Sequence, residues 1–318
     1  MAYTISRRLE AVSKKYDAFI SGLPEPMKTL AESLSPTVAH GCKNPVQYYG
    51  AEESYPLLRF PLWVEDKYVS EGLLTGKEGY GIEAAAASLF GYLYIRVQDN
   101  VLDEPELFDP AYLLLGNELV REFFHIYHRL FPPDSRFWGY FRQYWLGTSN
   151  NTLLERRERG GRIKDFTFDD INNAGGKLDG AKISMAAICI LAERNDDIAR
   201  FGKSFDRINI ASQLHNDAVS FMKDLKHDYF TCVIAEAVGG SEAAFEKEDI
   251  IPNASLKALT GSFIEDWLEY SAVVNKDALK VLSKDPLPGL EKYVRAKNAH
   301  LFELKAEIKK IKKELLSI

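Results

Sequence analysis

Apolar residues recur along almost the whole chain at three- and four-residue spacing, the period that gathers them on one face of an α-helix. Strand-like alternation is scarce. The pattern predicts a helix over residues 1–19, closed by Leu23-Pro24-Glu25-Pro26, and a short one over 27–34. Residues 44–60 hold Pro45, Gly50 and Pro56 and read as loop with brief helical pieces. A helix over 62–73 stops at Gly76-Lys77-Glu78-Gly79. From Ile82 a long helix passes through Ala84-Ala85-Ala86-Ala87 and Leu93-Tyr94-Ile95 and ends near Glu104-Pro105. It is apolar almost all round, which predicts a central buried rod.

The same period predicts helices over 110–130, halted by Pro132-Pro133, and over 137–157, rich in aromatics and ended by Gly160-Gly161. Thr167 reads as an N-cap with Asp170 in the capping-box position, opening a helix that meets Gly175-Gly176. Apolar residues 181–193 follow, then a helix over 201–238 and a polar, acidic loop over 239–253. The last two helices, 256–282 and 290–316, are separated by Asp285-Pro286-Leu287-Pro288-Gly289. No internal repeat or dividing linker is visible. Short connections between long helices predict an all-α fold, a single-domain helical bundle over residues 1–318.

Composition narrows the function. With 318 residues, 46% of them hydrophobic, the chain can bury a large core. Its net charge is −6 and no dense basic block interleaves with aromatics, which disfavours nucleic-acid binding. An anionic ligand such as diphosphate would then require metal ions or a local basic cluster. Cys42, Cys189 and Cys232 lie far apart with no C-x-x-C pair, so neither zinc nor a disulfide framework is expected. The N-terminus lacks the apolar core of a signal peptide, and the longest apolar run, around 84–95, ends in Arg96 and is too short to span a bilayer. The expectation is a cytoplasmic protein with no stable membrane insertion; a homodimer is left open.

Residues 213–231 carry the candidate chemistry. On a helix, Asn216, Ser220, Asp224 and Asp228 form one polar ladder, with Ile208, Ile210, Leu214, Val219, Phe221, Met222 and Leu225 on the core side. Carboxamide, hydroxyl and carboxylate at one-turn intervals are hard oxygen donors suited to Mg²⁺. A second acidic site ends the buried helix from Ile82, where R-V-Q-D-N-V-L-D-E places Asp99 and Asp103 four apart. Two carboxylates at the electronegative end of an apolar helix are costly, and cations relieve that cost.

Together, D-N-x-x-D-E and N-D-x-x-S-x-x-x-D resemble the two metal-binding motifs of class I terpene synthases and their isoprenyl diphosphate synthase relatives. Asp99, Asp103 and Glu104 carry the first motif, and Asn216, Ser220 and Asp224 the second. The resemblance implies a class I terpenoid synthase-like α domain around a central apolar cavity, closest to the bacterial cyclases. It implies three Mg²⁺ ions at the cavity mouth. The implied activity is ionisation of an allylic isoprenoid diphosphate (C15–C25), cyclisation or rearrangement of the cation, and release of diphosphate. Asn100 stands where the first motif often has a second consecutive Asp, and the second motif ends in Asp224 rather than Glu. Glu104-Pro105-Glu106 replaces the basic pair that follows the first motif in polyprenyl synthases, which weighs against chain elongation.

Lys177, beside Asp179 and Gly180, resembles the family's diphosphate sensor next to a helix break, although the spacing is one residue short. Lys223 and Arg295 are further candidates for the diphosphate, and one of Arg156, Arg157 and Arg159 is a candidate to face the metal site. A carbocation needs aromatic faces and no nucleophile. Phe90, Tyr94 and Trp267 are the candidates for that lining, with Gly180 at its edge.

Three alternatives remain. A prenyltransferase, elongating or coupling head-to-head like squalene synthase, would use the same motifs. A non-enzymatic helical scaffold would explain the amphipathic helices but not the acidic ladder. Glu122-x-x-His125 is half of a di-iron site, but no second copy exists, so His125 and His128 read as surface or core residues.

Overall fold

A computed structural model describes residues 4–74, 79–103, 108–159, 168–226, 231–239 and 247–317. Every regular element among them is helical. The chain divides into two compact units, one of Met1–Tyr144, Gly180–Phe201 and Leu287–Tyr293, the other of Trp145–Asp179, Gly202–Pro286 and Val294–Ile318.

The first unit is built round α5 (Tyr80–Asp103), the apolar rod expected from the sequence. Ala84 to Ala87, Leu89, Phe90, Leu93 and Val97 are all buried. It packs against α1 (Ile5–Ser21), α4 (Arg59–Ser70), α6 (Tyr112–Leu130) and α9 (Lys182–Leu191). Gly91 sets the α5–α6 distance, because a Cβ there would lie 2.9 Å from the Phe123 ring. Around Phe123 stand Tyr127, Phe137 and Phe141, a cluster of tilted and edge-on aromatic pairs. The remaining helices here are α2 (Glu25–Val38), α3 (Pro45–Tyr49) and the first turns of α7 (Phe137–Arg159).

One buried ion pair ties three of these helices together. Arg8 of α1 donates to the Glu65 carboxylate (3.2 Å), to Leu62 O (3.3 Å) and to Asp66 (2.6 Å) on α4. Glu65 also accepts from the backbone N–H groups of Gly79 (3.0 Å) and Gly81 (2.7 Å). The first amides of α5 have no partner within their own helix, so α4 caps α5 from the side. Gly81 is required there, since a Cβ would stand 2.5 Å from Glu65 Oε2.

The second unit is organised on α10 (Asp197–Lys226), packed with α8 (Phe168–Gly176), α11 (Cys232–Val238), α12 (Lys247–Thr260), α13 (Phe263–Val281) and α14 (Pro288–Leu315). Ile210, Leu214, Phe221 and Leu225 of α10 meet Val233, Ile234, Ala254, Phe263 and Val274 in one core. Val219 and Met222, expected on that core side, are exposed instead. The buried face follows Leu214, Ala218, Phe221 and Leu225, and Val219 lies one further helical step, about 100°, beyond Ala218. Gly175 lets α8 approach α10 closely: a Cβ would stand 2.9 Å from the Ile210 side chain and 3.0 Å from its backbone nitrogen.

Three segment boundaries differ from expectation. The helix expected over 201–238 begins at Asp197 and is described as far as Lys226, and a separate α11 follows, whose N-cap Thr231 accepts from Ile234 N at 3.3 Å. The acidic stretch 239–253 is not all loop: α12 starts at Lys247 and holds Pro252 in its interior. The helix expected over 256–282 is broken at Gly261-Ser262, between α12 and α13. The Thr167 cap lies outside the described residues.

Candidate functional site

The first motif occupies the last turns of α5. Asp99 is half-buried, 3.7 Å from the Arg96 guanidinium one turn earlier. Arg96 also donates to the Asn100 side-chain oxygen at 3.4 Å. Asp103 closes the helix, but its side chain and the whole of Glu104 lie outside the described residues. Arg96 was not singled out from the sequence; its signal is the i, i+3 spacing to Asp99. Its charge offsets part of the repulsion between a carboxylate and the helix C-terminus.

Aromatic groups flank this end of α5. Tyr92 meets Tyr49 edge-on at 5.0 Å, and Tyr48 meets Tyr49 at the same distance. Burial drives the Tyr49 hydroxyl far above the ordinary phenol pKa, and it donates to Val38 O at 2.5 Å. Tyr94 is half-buried and its hydroxyl accepts from Gln98 at 2.8 Å. Phe90 is fully buried, with its ring 4.9 Å from Phe19 and 6.2 Å from Tyr16.

The second motif lies on α10. Asn216 is exposed, and one and two turns later Ser220 and Asp224 are half-buried. The Ser220 hydroxyl donates to the Asp224 carboxylate, so two of the three expected donors touch. Asp228 lies outside the described residues. Asp217, passed over in the sequence, is a buried carboxylate that accepts from Gln213 Nε2 at 2.5 Å. Its signal was the spacing to Gln213, one turn earlier on the same face. On the neighbouring flank, His215 Nδ1 lies 3.4 Å from Lys297 Nζ of α14. Burial, reinforced by the charges of Lys297 and His300, pushes the His215 pKa down to about 3, so the imidazole is neutral near pH 7.

The candidate diphosphate cations lie on different elements. Lys177 directly follows α8 and binds both oxygens of Glu155, at 3.0 and 3.3 Å. Glu155 was a third residue not foreseen, after Arg96 and Asp217. Lys223 is exposed next to Asp224, and Arg295 is exposed on α14. Gly180 sits in a 3₁₀ turn, Asp179–Ala181. Trp267 is half-buried on α13, and its indole N–H donates to Glu236 at 2.6 Å. The side chains of Arg156, Arg157 and Arg159 lie outside the described residues. His125 and His128 are exposed, the latter against Trp138 at 4.5 Å.

The donor chemistry of α10 fits a hard divalent cation. Mg²⁺ is held by one or two carboxylates together with water and substrate phosphate oxygens. The Ser220–Asp224 contact already brings a hydroxyl and a carboxylate together. Among the described residues no three His, Cys, Asp or Glu side chains gather closely enough to hold a metal ion by themselves.

Neither a protein-family model nor a curated protein sequence matches the chain. Solved structures do. Heptaprenyl diphosphate synthase from Staphylococcus aureus superposes with a TM-score of 0.68 at 12% identity, over 97% of this chain and 98% of that one. A decaprenyl diphosphate synthase from Rhodobacter capsulatus gives 0.66 at 14% identity, over 93% and 96%. The chain has the polyprenyl diphosphate synthase fold. A third structure of this fold, polyprenyl synthase from Caulobacter crescentus CB15 complexed with calcium and isoprenyl diphosphate, gives 0.61 at 12% identity, over 93% and 97%. The likeness runs through both units of the present chain. It matches the all-α fold class expected from the sequence. No helix among the described residues is long and apolar enough to cross a membrane.

Proposed function

We propose that the chain is a prenyltransferase that ionises an allylic isoprenoid diphosphate and joins its prenyl group to a second isoprenoid. The observation that carries this reading is the whole-length likeness to three prenyl diphosphate synthases, on a chain with two acidic motifs. The comparison favours transfer over the cyclisation implied by the motif resemblance.

In transfer, the allylic C–O bond breaks and its electron pair leaves with diphosphate. The acceptor's alkene electrons form the new C–C bond, and the acceptor then loses a proton. Asp99, Asp103, Asn216, Ser220 and Asp224 are the proposed holders of divalent metal, with three Mg²⁺ as the proposed number. Bound Mg²⁺ would supply charge that offsets the departing diphosphate. Lys177, Lys223 and Arg295 are the proposed cations for the same anion. Lys177 would have to exchange Glu155 for phosphate, which costs little because the pair is partly exposed. Phe90, Tyr94 and Trp267 are the proposed lining against the cation, with Gly180 at its edge. A homodimer remains compatible with this reading.

Cyclisation is the second reading, and two observations favour it. The α10 motif offers Asn216 and Ser220 where a purely acidic motif would offer carboxylates. Glu104-Pro105-Glu106 leaves no basic pair after the first motif for a second diphosphate. The test supplies Mg²⁺ and geranyl, farnesyl, geranylgeranyl or farnesylgeranyl diphosphate, with and without isopentenyl diphosphate. Longer diphosphates that need isopentenyl diphosphate support transfer. Hydrocarbon or alcohol formed without it supports cyclisation. No diphosphate release from any allylic substrate leaves the scaffold alternative.

A further inference from the structure

The last turns of α14 carry a surface that neither acidic motif uses. From Phe302 to Leu316 the sequence reads F-E-L-K-A-E-I-K-K-I-K-K-E-L-L, five lysines against three glutamates, on a chain whose net charge is −6. Helical spacing divides this stretch into three stripes. Leu301, Leu304 and Ile308 face inward and pack with Ala218, Leu268 and Ala272. Leu316 N still donates to Lys312 O at 3.0 Å, so the helical register holds through Leu316.

The charges are sorted between the other two stripes. Glu303, Glu307 and Glu314 follow one line with Lys310, which lies 4.0 Å from Glu314. Phe302, Ala306, Lys309, Lys313 and Leu316 follow the other, at steps of four, three, four and three residues, and all five are exposed. That second line holds no carboxylate. Lys305 and Lys312, nearer the core, are bound to α13: Lys305 donates to Glu269, and Lys312 to Glu265 at 2.5 Å and to Gly261 O at 2.9 Å. Asp266 of α13 is exposed, and its carboxylate accepts from the Ser262 hydroxyl at 2.7 Å. Lys309 and Lys313 form no ion pair among the described residues, and their side chains stand in solvent.

Large apolar side chains share the cationic stripe. Phe302 is 45% exposed and Leu316 58%. Ile311 and Leu315, which continue the inward line past Ile308, are exposed too. The stripe is about 21 Å long, enough to lie flat on a surface over about four turns. A lone exposed leucine is ordinary, but cations alternating with bulky apolar groups on one face are the pattern of a helix lying in a bilayer interface. Lysine stems can follow the acyl boundary while their ammonium groups reach the headgroups. Anionic headgroups complement Lys309 and Lys313. The glutamates that would oppose them sit one residue, about 100°, round from Phe302, Ala306 and Lys313. A nucleic acid would use the lysines but has no use for Phe302 and Leu316.

We propose that this face of α14 docks peripherally on an anionic lipid surface, with Lys309 and Lys313 on the headgroups and Phe302 and Leu316 dipping between them. The surface lies on one face of one helix, uses neither acidic motif and does not rest on prenyl transfer.

The test is co-sedimentation of the full chain with vesicles of phosphatidylcholine alone and of phosphatidylcholine mixed in equal parts with phosphatidylglycerol. Wild type is expected to sediment with the anionic vesicles at low salt and to stay in solution with the neutral ones. Lys309→Gln with Lys313→Gln should weaken that binding about tenfold or more, whereas Lys14→Gln with Lys284→Gln, the same charge change at exposed sites elsewhere, should leave it within about twofold. Phe302→Gln with Leu316→Gln should weaken it about fivefold or more. The substituted side chains are all exposed, so circular dichroism should match wild type. Failure of wild type to sediment with anionic vesicles would overturn the proposal, as would equal binding to neutral ones. Equal loss in the Lys14 and Lys284 control, or binding unchanged by Phe302→Gln with Leu316→Gln, would also overturn it. Retention on duplex DNA instead of on vesicles would reassign the lysines to a nucleic acid and sink it too. Vesicle binding without any prenyl transfer would contradict only the functional reading.

Discussion

Replacing Glu65 by Ala should be among the most damaging single changes in the first unit. Glu65 is 2% exposed and serves three donors: Arg8 Nη1 at 3.2 Å, Gly79 N at 3.0 Å and Gly81 N at 2.7 Å. Removing one partner of a buried ion pair typically costs about 3–5 kcal/mol, because the other charge stays buried. Here Asp66 still holds Arg8 at 2.6 Å, which places that loss near the lower end, about 3 kcal/mol. Two orphaned amides at the start of α5 add about 1 kcal/mol each at the low end of the usual range. The expected total is about 5 kcal/mol, comparable with the whole stability of a marginal domain at about 5–15 kcal/mol. Glu65→Gln keeps an acceptor for the amides and should lose roughly half as much. Urea titration followed by circular dichroism measures both, with Glu10→Ala as control because the Glu10–Lys14 pair is solvent-exposed. A Glu65→Ala variant within about 1 kcal/mol of wild type would refute the claim that this carboxylate clamps α1, α4 and α5.

Three further outcomes follow from other parts of the chain. His215 is held neutral when folded, with its pKa pushed down to about 3, but it protonates near pH 6.5 once unfolded. Its contribution is complete above pH 6.5 and is lost as pH falls toward 3, by about 1.4 kcal/mol per unit; His215→Gln should flatten the pH dependence of urea stability across that window. Gly175→Ala should destabilise by about 1–3 kcal/mol, since its Cβ meets Ile210 side chain and backbone, and a neutral result in thermal melts would contradict the close α8–α10 approach. Asp224→Ala and Ser220→Ala should each lower diphosphate release at least about a hundredfold with circular dichroism unchanged, as loss of a transition-state charge stabiliser does; chelation of divalent metal should have the same effect on wild type.

The backbone plan was legible because its signals are local. Residues 84–95 are apolar almost all round, and a rod buried over most of its surface satisfies them. What local reading missed depended on partners distant in sequence. Val219 and Met222 look like core residues by type, yet the small Ala218 sets the true direction of the buried face. Residues 247–253 look like an acidic loop around Pro252, but Ala254 is fully buried in the core beside α11, and packing overrides propensity. The break at Gly261 had its signal in the glycine itself. In the candidate site, the oxygen ladder on α10 was visible from spacing alone. Glu155 as the partner of Lys177 was not, because it lies 22 residues away in the chain. Glu65 likewise gave no sign of its role, since it acts on amides 14 and 16 residues later.

The most direct test of the account is product analysis by mass spectrometry after incubation with Mg²⁺, farnesyl diphosphate and isopentenyl diphosphate. Prenyl transfer predicts a longer prenyl diphosphate and stoichiometric inorganic diphosphate, both absent without metal and both lost in Asp99→Ala and Asp224→Ala. The account is contradicted if no allylic diphosphate of any chain length is consumed, or if product forms equally well in those two variants.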